Sequence, residues 1–255
     1  GRGAVASVVE KGLMERFAVE ESRDPLLGQN FPAVGPVNLT DEQALAAAAV
    51  KEALERREPA TLLLEGVTGS GKTEVYLHAA KAILARGKQV LVLVPEIGLT
   101  PQLTGRFRAR FGDGIAVLHS GLSQSQRLRE WRRIRAGEAV VAIGARSALF
   151  APFPDLGLVV VDEEHDGSFK QDTAPRYHAR DLALVRGRFE NCPVVLGTAT
   201  PSMESWANAR RGKLELHELA ERVEARPMPA VEIVDMRAAE FTDDSQIFSK
   251  VLAAE

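Results

Sequence analysis

Cysteine is almost absent: Cys192 stands alone among 255 residues, which excludes an internal disulfide framework and any cysteine-rich zinc site within the sequence. A reducing, cytoplasmic setting is therefore expected. Long apolar runs are also lacking. The longest, residues 90–95 and 156–161, fall far short of the roughly 20 residues that a membrane-spanning helix needs. The opening Gly1-Arg2-Gly3-Ala4 carries neither Met nor the charged region and apolar core of a signal peptide. Charge of one sign is missing as well, since 32 Lys+Arg against 35 Asp+Glu leave a net −3. Any nucleic-acid contact has to come from a local patch. What is present is a globular composition, 45% hydrophobic and 26% charged, enough to bury a full core in one large domain with smaller appendages.

The chain reads as a cut piece of a longer protein, because it starts without Met and stops in what looks like the opening of a helix, Ser249 to Glu255. Residues 1–20 carry a short helical pattern and then strand spacing at Phe17 and Val19, too little for a core of their own. They are expected to be the tail of a preceding domain. Residues 21–38, with Pro25, Gly28, Pro32, Gly35 and Pro36, suit a linker. From Leu39 to about residue 230, short apolar runs alternate with helix-length amphipathic segments, which predicts an α/β fold with a parallel sheet flanked by helices. The expected strands are residues 61–65, 89–94, 115–119, 139–143, 158–161 and 194–197. Their near-continuous Val, Ile and Leu content fits a sheet buried on both faces. Arg226-Pro227-Met228-Pro229 looks like an exit linker, with 231–255 leading elsewhere.

The strongest chemical signal is Gly66-Val67-Thr68-Gly69-Ser70-Gly71-Lys72-Thr73, a Gly-x-x-x-x-Gly-Lys-Thr phosphate-binding loop of P-loop NTPases. Glycines let backbone N–H groups converge on phosphate oxygens, and the next helix points its positive end at the same anion. Lys72 would reach the β- and γ-phosphates of ATP, and Thr73 would place its hydroxyl on a mostly water-coordinated Mg2+. Leu62-Leu63-Leu64 before the loop and Val75, Ala79 and Ile83 after it supply the strand and helix the motif requires.

Residues 158–165, Leu-Val-Val-Val-Asp-Glu-Glu-His, form a buried strand ending in three carboxylates and a histidine, at the sheet edge where α/β folds place their chemistry. Asp162 can hold Mg2+ through water. Glu163 is the candidate to orient or deprotonate the water that attacks the γ-phosphate. With Lys72 and His165 these make the catalytic set. Gln43 has two readings: its amide reads the adenine edge, or Thr40-x-x-Gln43 is a helix capping box. Both roles can coexist. Gly197-Thr198-Ala199-Thr200-Pro201-Ser202 offers small hydroxyls able to relay between the acidic cluster and a nucleic-acid channel.

These motifs, together with Leu93-Val94-Pro95-Glu96-Ile97-Gly98-Leu99-Thr100-Pro101-Gln102, His119-Ser120-Gly121-Leu122, Arg146-Ser147-Ala148-Leu149-Phe150 and Arg176-Tyr177-His178-Ala179-Arg180-Asp181, resemble the bacterial primosomal replication-restart helicases. That family, PriA or primosomal protein N′, is of the superfamily 2 DEAH/DExH type. The resemblance covers about residues 39–237. It implies the first RecA-like lobe of a 3′→5′ DNA helicase that acts at abandoned replication forks. It makes residues 1–20 the tail of a winged-helix domain. It also implies a second lobe and a zinc module elsewhere, with no zinc ligand carried over to this chain. Primosome proteins and single-stranded-DNA-binding protein are the implied partners, and a monomer is expected. The sequence departs from the family at Ala145, where Thr is expected, and at Phe169, where Tyr is expected. The first removes a hydroxyl for DNA phosphate, and the second keeps a ring for stacking.

Motor lobes of this type grip the sugar-phosphate backbone with hydroxyls, amides and cations. Thr100, Gln102, Ser120, Gly121, Arg146 and Ser147 supply these. Phe169, Lys170, Arg176, Tyr177 and His178 mix rings with cations in a loop suited to stacking bases beside phosphates, the alternative being ordinary packing of Phe169 and Tyr177 under the lobe. The arginines at 127, 129, 132, 133 and 135 are read as a solvated helix face, with Leu128, Trp131 and Ile134 burying the other side. His78, His217 and Cys192 are read as surface or packing residues. The leading expectation is an ATP-driven DNA translocase, whose isolated lobe binds ATP–Mg2+ but hydrolyses it poorly for want of an arginine from a second lobe. The alternatives are a nucleotide-gated DNA-binding and primosome-assembly module and, more weakly, a DNA-pumping subunit of a nuclease.

Overall fold

The structure, a computed structural model, describes residues 38–56 and 59–223. The expected winged-helix tail at 1–20, nearly all of the linker at 21–38 and the connection at 231–255 lie outside the described residues. No helix among the described residues is long and apolar enough to cross a membrane.

The elements alternate as the hydrophobic pattern requires: α1 (Asp41–Arg56), β1 (Thr61–Gly66), α2 (Lys72–Leu84), β2 (Gln89–Leu93), α3 (Pro101–Phe111), β3 (Ile115–Leu118), α4 (Gln124–Arg135), β4 (Val141–Gly144), β5 (Leu156–Asp162), β6 (Lys170–Gln171), β7 (Tyr177–His178), α5 (Ala179–Glu190), β8 (Val194–Thr198), α6 (Met203–Arg210) and β9 (Glu215–Leu219). Seven strands form one sheet in the order β3-β4-β2-β5-β8-β1-β9, and every neighbouring pair is parallel. The α/β parallel sheet flanked by helices is therefore as expected. Along each strand successive side chains face opposite layers. Leu62 and Leu64 pack with α1 and α2 residues such as Val50 and Val75, whereas Leu63 packs with Ile134 of α4 and Ala183 of α5. Both faces are covered, so the strands read as unbroken apolar runs.

Helix starts follow local chemistry. Thr100 caps α3, its side chain accepting from Leu103 N, with Pro101 in the first turn. Ser123 and Gln126 form a capping box at α4.

Helix α4 corrects one expectation. Of Leu128, Trp131 and Ile134, only Ile134 is buried, while Leu128 is 51% and Trp131 36% exposed. At the helical period Leu128 shares a stripe with Arg132 and Arg135 rather than with Ile134. Arg133 is not a free surface charge: it pairs with Glu130 and donates to the carbonyls of Ile115 and Asp113.

Two elements leave no clear mark in the sequence. Strand β9 mixes Glu and His with two leucines without strict alternation, lies at the sheet edge and pairs with β1. The antiparallel hairpin β6–β7 is too short to leave a periodic signal.

Candidate functional site

In an all-parallel sheet the C-terminal strand ends share one edge. The order β5-β8-β1 sets the acidic end of β5 beside the loop after β8, and that loop beside the glycine-rich loop after β1. The latter is shaped for an anion. Gly69 and Gly71 take φ of 87° and 84°, a region that side-chain-bearing residues avoid. A Cβ on Gly71 would stand 2.4 Å from Gln43 Nε2. Thr68 and Gly69 form the exposed tip, Ser70 is buried, and Lys72 and Thr73 open α2, where backbone N–H groups and the helix dipole favour negative charge. Lys72 is 9% exposed. Its Nζ donates to Gly66 O at 2.7 Å and lies 4.0 Å from Glu163 Oε1.

Gln43 is buried behind this loop. Its Nε2 donates to Ser70 O at 2.8 Å, and its Oε1 accepts from Thr40 N at 3.0 Å. Its own backbone N donates to Thr40 Oγ1 at 3.3 Å. The capping box forms, and the same side chain props the phosphate loop.

Asp162 ends β5. Tyr76 Oη, reaching across from α2, donates to Asp162 Oδ1 at 2.9 Å. The hydroxyl passes so close to β8 that a Cβ on Gly197 would lie 1.6 Å from it, which explains a glycine at the strand end. Burial raises the Asp162 carboxyl to about 6, opposed by the Tyr76 hydrogen bond and assisted by the adjacent Glu163. Thr73 offers a hydroxyl and Asp162 a carboxylate that would act through water, an all-oxygen set that fits Mg2+. Between the ordinary carboxylate range and about 6, the folded state binds this proton more tightly than the unfolded chain, so stability falls as pH rises through that window. Asp162→Asn is therefore expected to raise the metal-free melting temperature at pH 8 while weakening Mg2+-dependent nucleotide binding. Thermal melts with and without Mg2+ check both, and a lowered metal-free Tm contradicts the argument.

Glu163 has φ of 49°, left-handed for a residue with a side chain. Its Oε2 lies 3.8 Å from His165 Nδ1. His165 in turn links to the loop after β8, Nδ1 standing 2.8 Å from Thr198 Oγ1 and Nε2 3.5 Å from Thr200 Oγ1. Glu164 turns inward and is fully buried. Arg180, Ser202 and Ser205 all donate to it.

The remaining strands carry the residues expected to meet nucleic acid. Thr100 and Gln102 follow β2, Ser120 and Gly121 follow β3, and Arg146 and Ser147 follow β4, three adjacent strands in the order β3-β4-β2. Thr100, Gln102, Ser120, Gly121 and Ser147 are exposed. Two residues differ from expectation. Arg146 is half-buried, and its guanidinium donates to the carbonyls of Ser168 and Lys170, so it braces the β6 loop. Phe169 is 0% exposed and packs in the core, so its ring is closed to a base. An exposed ring that meets this loop is Phe150, 49% accessible, with Tyr177 edge-on at 5.4 Å between centroids. Lys170 and Arg176 are exposed, while His178 is half-buried and its imidazole is held below the usual range by burial and Arg180.

Sequence patterns assign no role to Tyr76, Phe150, Glu164 or Arg180. Only the doubled acid at 163–164 hints that one of the two carboxylates is needed for something other than chemistry.

Residues 43–208 match the family model of the DEAD/DEAH box helicases. The replication restart protein PriA of Bacillus subtilis is 47% identical over 245 residues, covering 96% of this chain and 30% of that protein. Its counterpart from Synechocystis is 55% identical over 196 residues, covering 75% and 24%. The chain thus spans under a third of the length of these relatives. Among solved structures, RecG bound to a three-way DNA junction aligns with a TM-score of 0.54 at 25% identity, over 76% of this chain and 25% of that one. A hypothetical ATP-dependent RNA helicase from Sulfolobus tokodaii aligns at 0.51 and 20% identity, over 72% and 54%, a likeness of fold alone.

Proposed function

Because the chain belongs to the DEAD/DEAH box helicase family, we propose that it is the ATP-binding motor lobe of a 3′→5′ DNA helicase acting at stalled replication forks, in replication restart and primosome assembly. The observation that carries this reading is the division of one sheet edge. The ends of β1, β8 and β5 hold the phosphate loop and the acidic cluster, and the ends of β2, β4 and β3 hold exposed hydroxyls and amides.

In this reading the N–H groups of residues 66–73 and the Lys72 ammonium bind the β- and γ-phosphates of ATP. Thr73, and Asp162 through water, would hold Mg2+, which would neutralise charge on the phosphates. Glu163, 4.0 Å from Lys72 Nζ, orients the attacking water and accepts its proton. His165 reports on that cluster to Thr198 and Thr200. Gln43 serves adenine recognition only through the amide capacity left by its bonds to Ser70 and Thr40. Thr100, Gln102, Ser120, Gly121 and Ser147 grip the DNA backbone, with Phe150, Lys170, Arg176, Tyr177 and His178 beside the bases. Forked or single-stranded DNA, primosome proteins and single-stranded-DNA-binding protein are the proposed partners of a cytoplasmic monomer. The zinc module is assigned to the longer protein. An arginine from a second lobe completes the charge neutralisation, so this lobe alone binds ATP and turns it over poorly.

The test is ATP hydrolysis by the full-length protein with and without forked DNA. Stimulation by the fork supports the motor. Nucleotide binding with no turnover would instead support a nucleotide-gated assembly module, and turnover indifferent to DNA would point to another motor class.

A further inference from the structure

Glu164 does no chemistry in the reading above, yet it is a fully enclosed charge, 0% exposed. Its Oε1 accepts from Ser202 N at 2.7 Å. Its Oε2 accepts from Ser205 Oγ at 2.8 Å, Ser202 Oγ at 3.1 Å and Arg180 Nη1 at 3.1 Å. Its backbone N donates to Gly197 O at 3.0 Å. Arg180 is shared: Nη1 also reaches Ser202 Oγ at 2.8 Å, and Nε reaches Asp181 Oδ1 at 2.9 Å. A carboxylate this deep is tolerated only when paired and saturated with donors, and here the donors come from α5 and from the start of α6.

One residue earlier, Glu163 sits at φ 49°. Such backbone persists only where its surroundings over-determine it. On one flank, Asp162 is fixed by pairing with Gly197 and by the Tyr76 hydroxyl. On the other flank, the fixed group is Glu164.

The geometry points to Arg180 as a positioning residue for ATP hydrolysis. Through Glu164 it holds Glu163 in the left-handed turn that brings its carboxylate to 4.0 Å from Lys72 Nζ. Because α5 directly follows β7, Arg180 also ties that turn to the base of the hairpin that carries Tyr177 and His178. The inference rests on the reading of Glu163 as the residue that orients water.

Two folded variants of the full-length protein test it. Arg180→Lys keeps a cation beside Glu164 but cannot serve three partners from one planar fork. The double variant Glu164→Gln/Arg180→Met removes both charges, avoiding the cost of orphaning one. Each is expected to lower fork-stimulated kcat by about 10- to 100-fold through misplacement of Glu163, with unchanged Kd for a fluorescent ADP analogue. In a Glu163→Gln background, Arg180→Lys is expected to add no further loss, because it acts through that carboxylate. A kcat equal to the parent's overturns the inference. So does nucleotide affinity falling in step with kcat, or a loss that adds to that of Glu163→Gln. A parent protein without ATP turnover would instead overturn the functional reading beneath it.

Discussion

Lys72→Ala is expected to lower kcat for ATP hydrolysis by about 10³-fold, the scale of removing one preorganised charge from a transition state. Lys72 is the buried cation at the mouth of α2, and its ammonium is held by Gly66 O at 2.7 Å inside the loop proposed to receive the phosphates. Alanine leaves the glycine turns and the Gln43 prop in place, because neither uses the ammonium. The melting temperature should therefore stay near that of the parent while turnover disappears. A steady-state assay beside a thermal melt separates the two. Full turnover in a folded variant would remove Lys72 from the chemistry.

Glu163→Gln should reduce kcat by about 10²–10⁴-fold, the usual contribution of a general base, and leave nucleotide binding intact. The substitution is isosteric, so the φ of 49° and the flanking bonds of Asp162 and Glu164 persist. Only the ability to take a proton from water is lost. Single-turnover hydrolysis together with a nucleotide-binding titration checks the split. Weakened binding with preserved single-turnover rate would show that the carboxylate acts on the ground state.

Both expectations rest on residues that stand out in the amino-acid sequence. Gly66 to Thr73 and the acidic end of β5 announce themselves because phosphate binding demands residue types at fixed short spacings, and local spacing survives in a sequence. The strands are legible for a related reason, since a sheet covered on both faces needs unbroken apolar runs. Strand β9 escapes because an edge strand need not be apolar throughout, and its Glu215-Leu216-His217-Glu218-Leu219 gives no such run.

Sequence patterns mislead where burial decides. Phe169 and Phe150 are chemically alike, and nothing in their neighbourhood says which ring enters the core. Tertiary packing buries Phe169 and leaves Phe150 at 49% exposure. Arg146 reads as a phosphate ligand until the loop after β5 folds back to offer it the carbonyls of Ser168 and Lys170. Leu128 and Trp131 look like the inner stripe of α4 only if the stripe is centred wrongly.

The chemistry and the class of fold are thus written in the linear chain, because both depend on spacings within a dozen residues. The arrangement of the site is not. The strand order sets the glycine-rich loop and acidic cluster apart from the exposed hydroxyls proposed to meet DNA, Tyr76 reaches Asp162 over Gly197, and Arg180 secures Glu164 from 16 positions away. Such contacts join segments distant in the chain, and their energy comes from burial and saturation of polar groups, quantities that exist only once the sheet has brought them together.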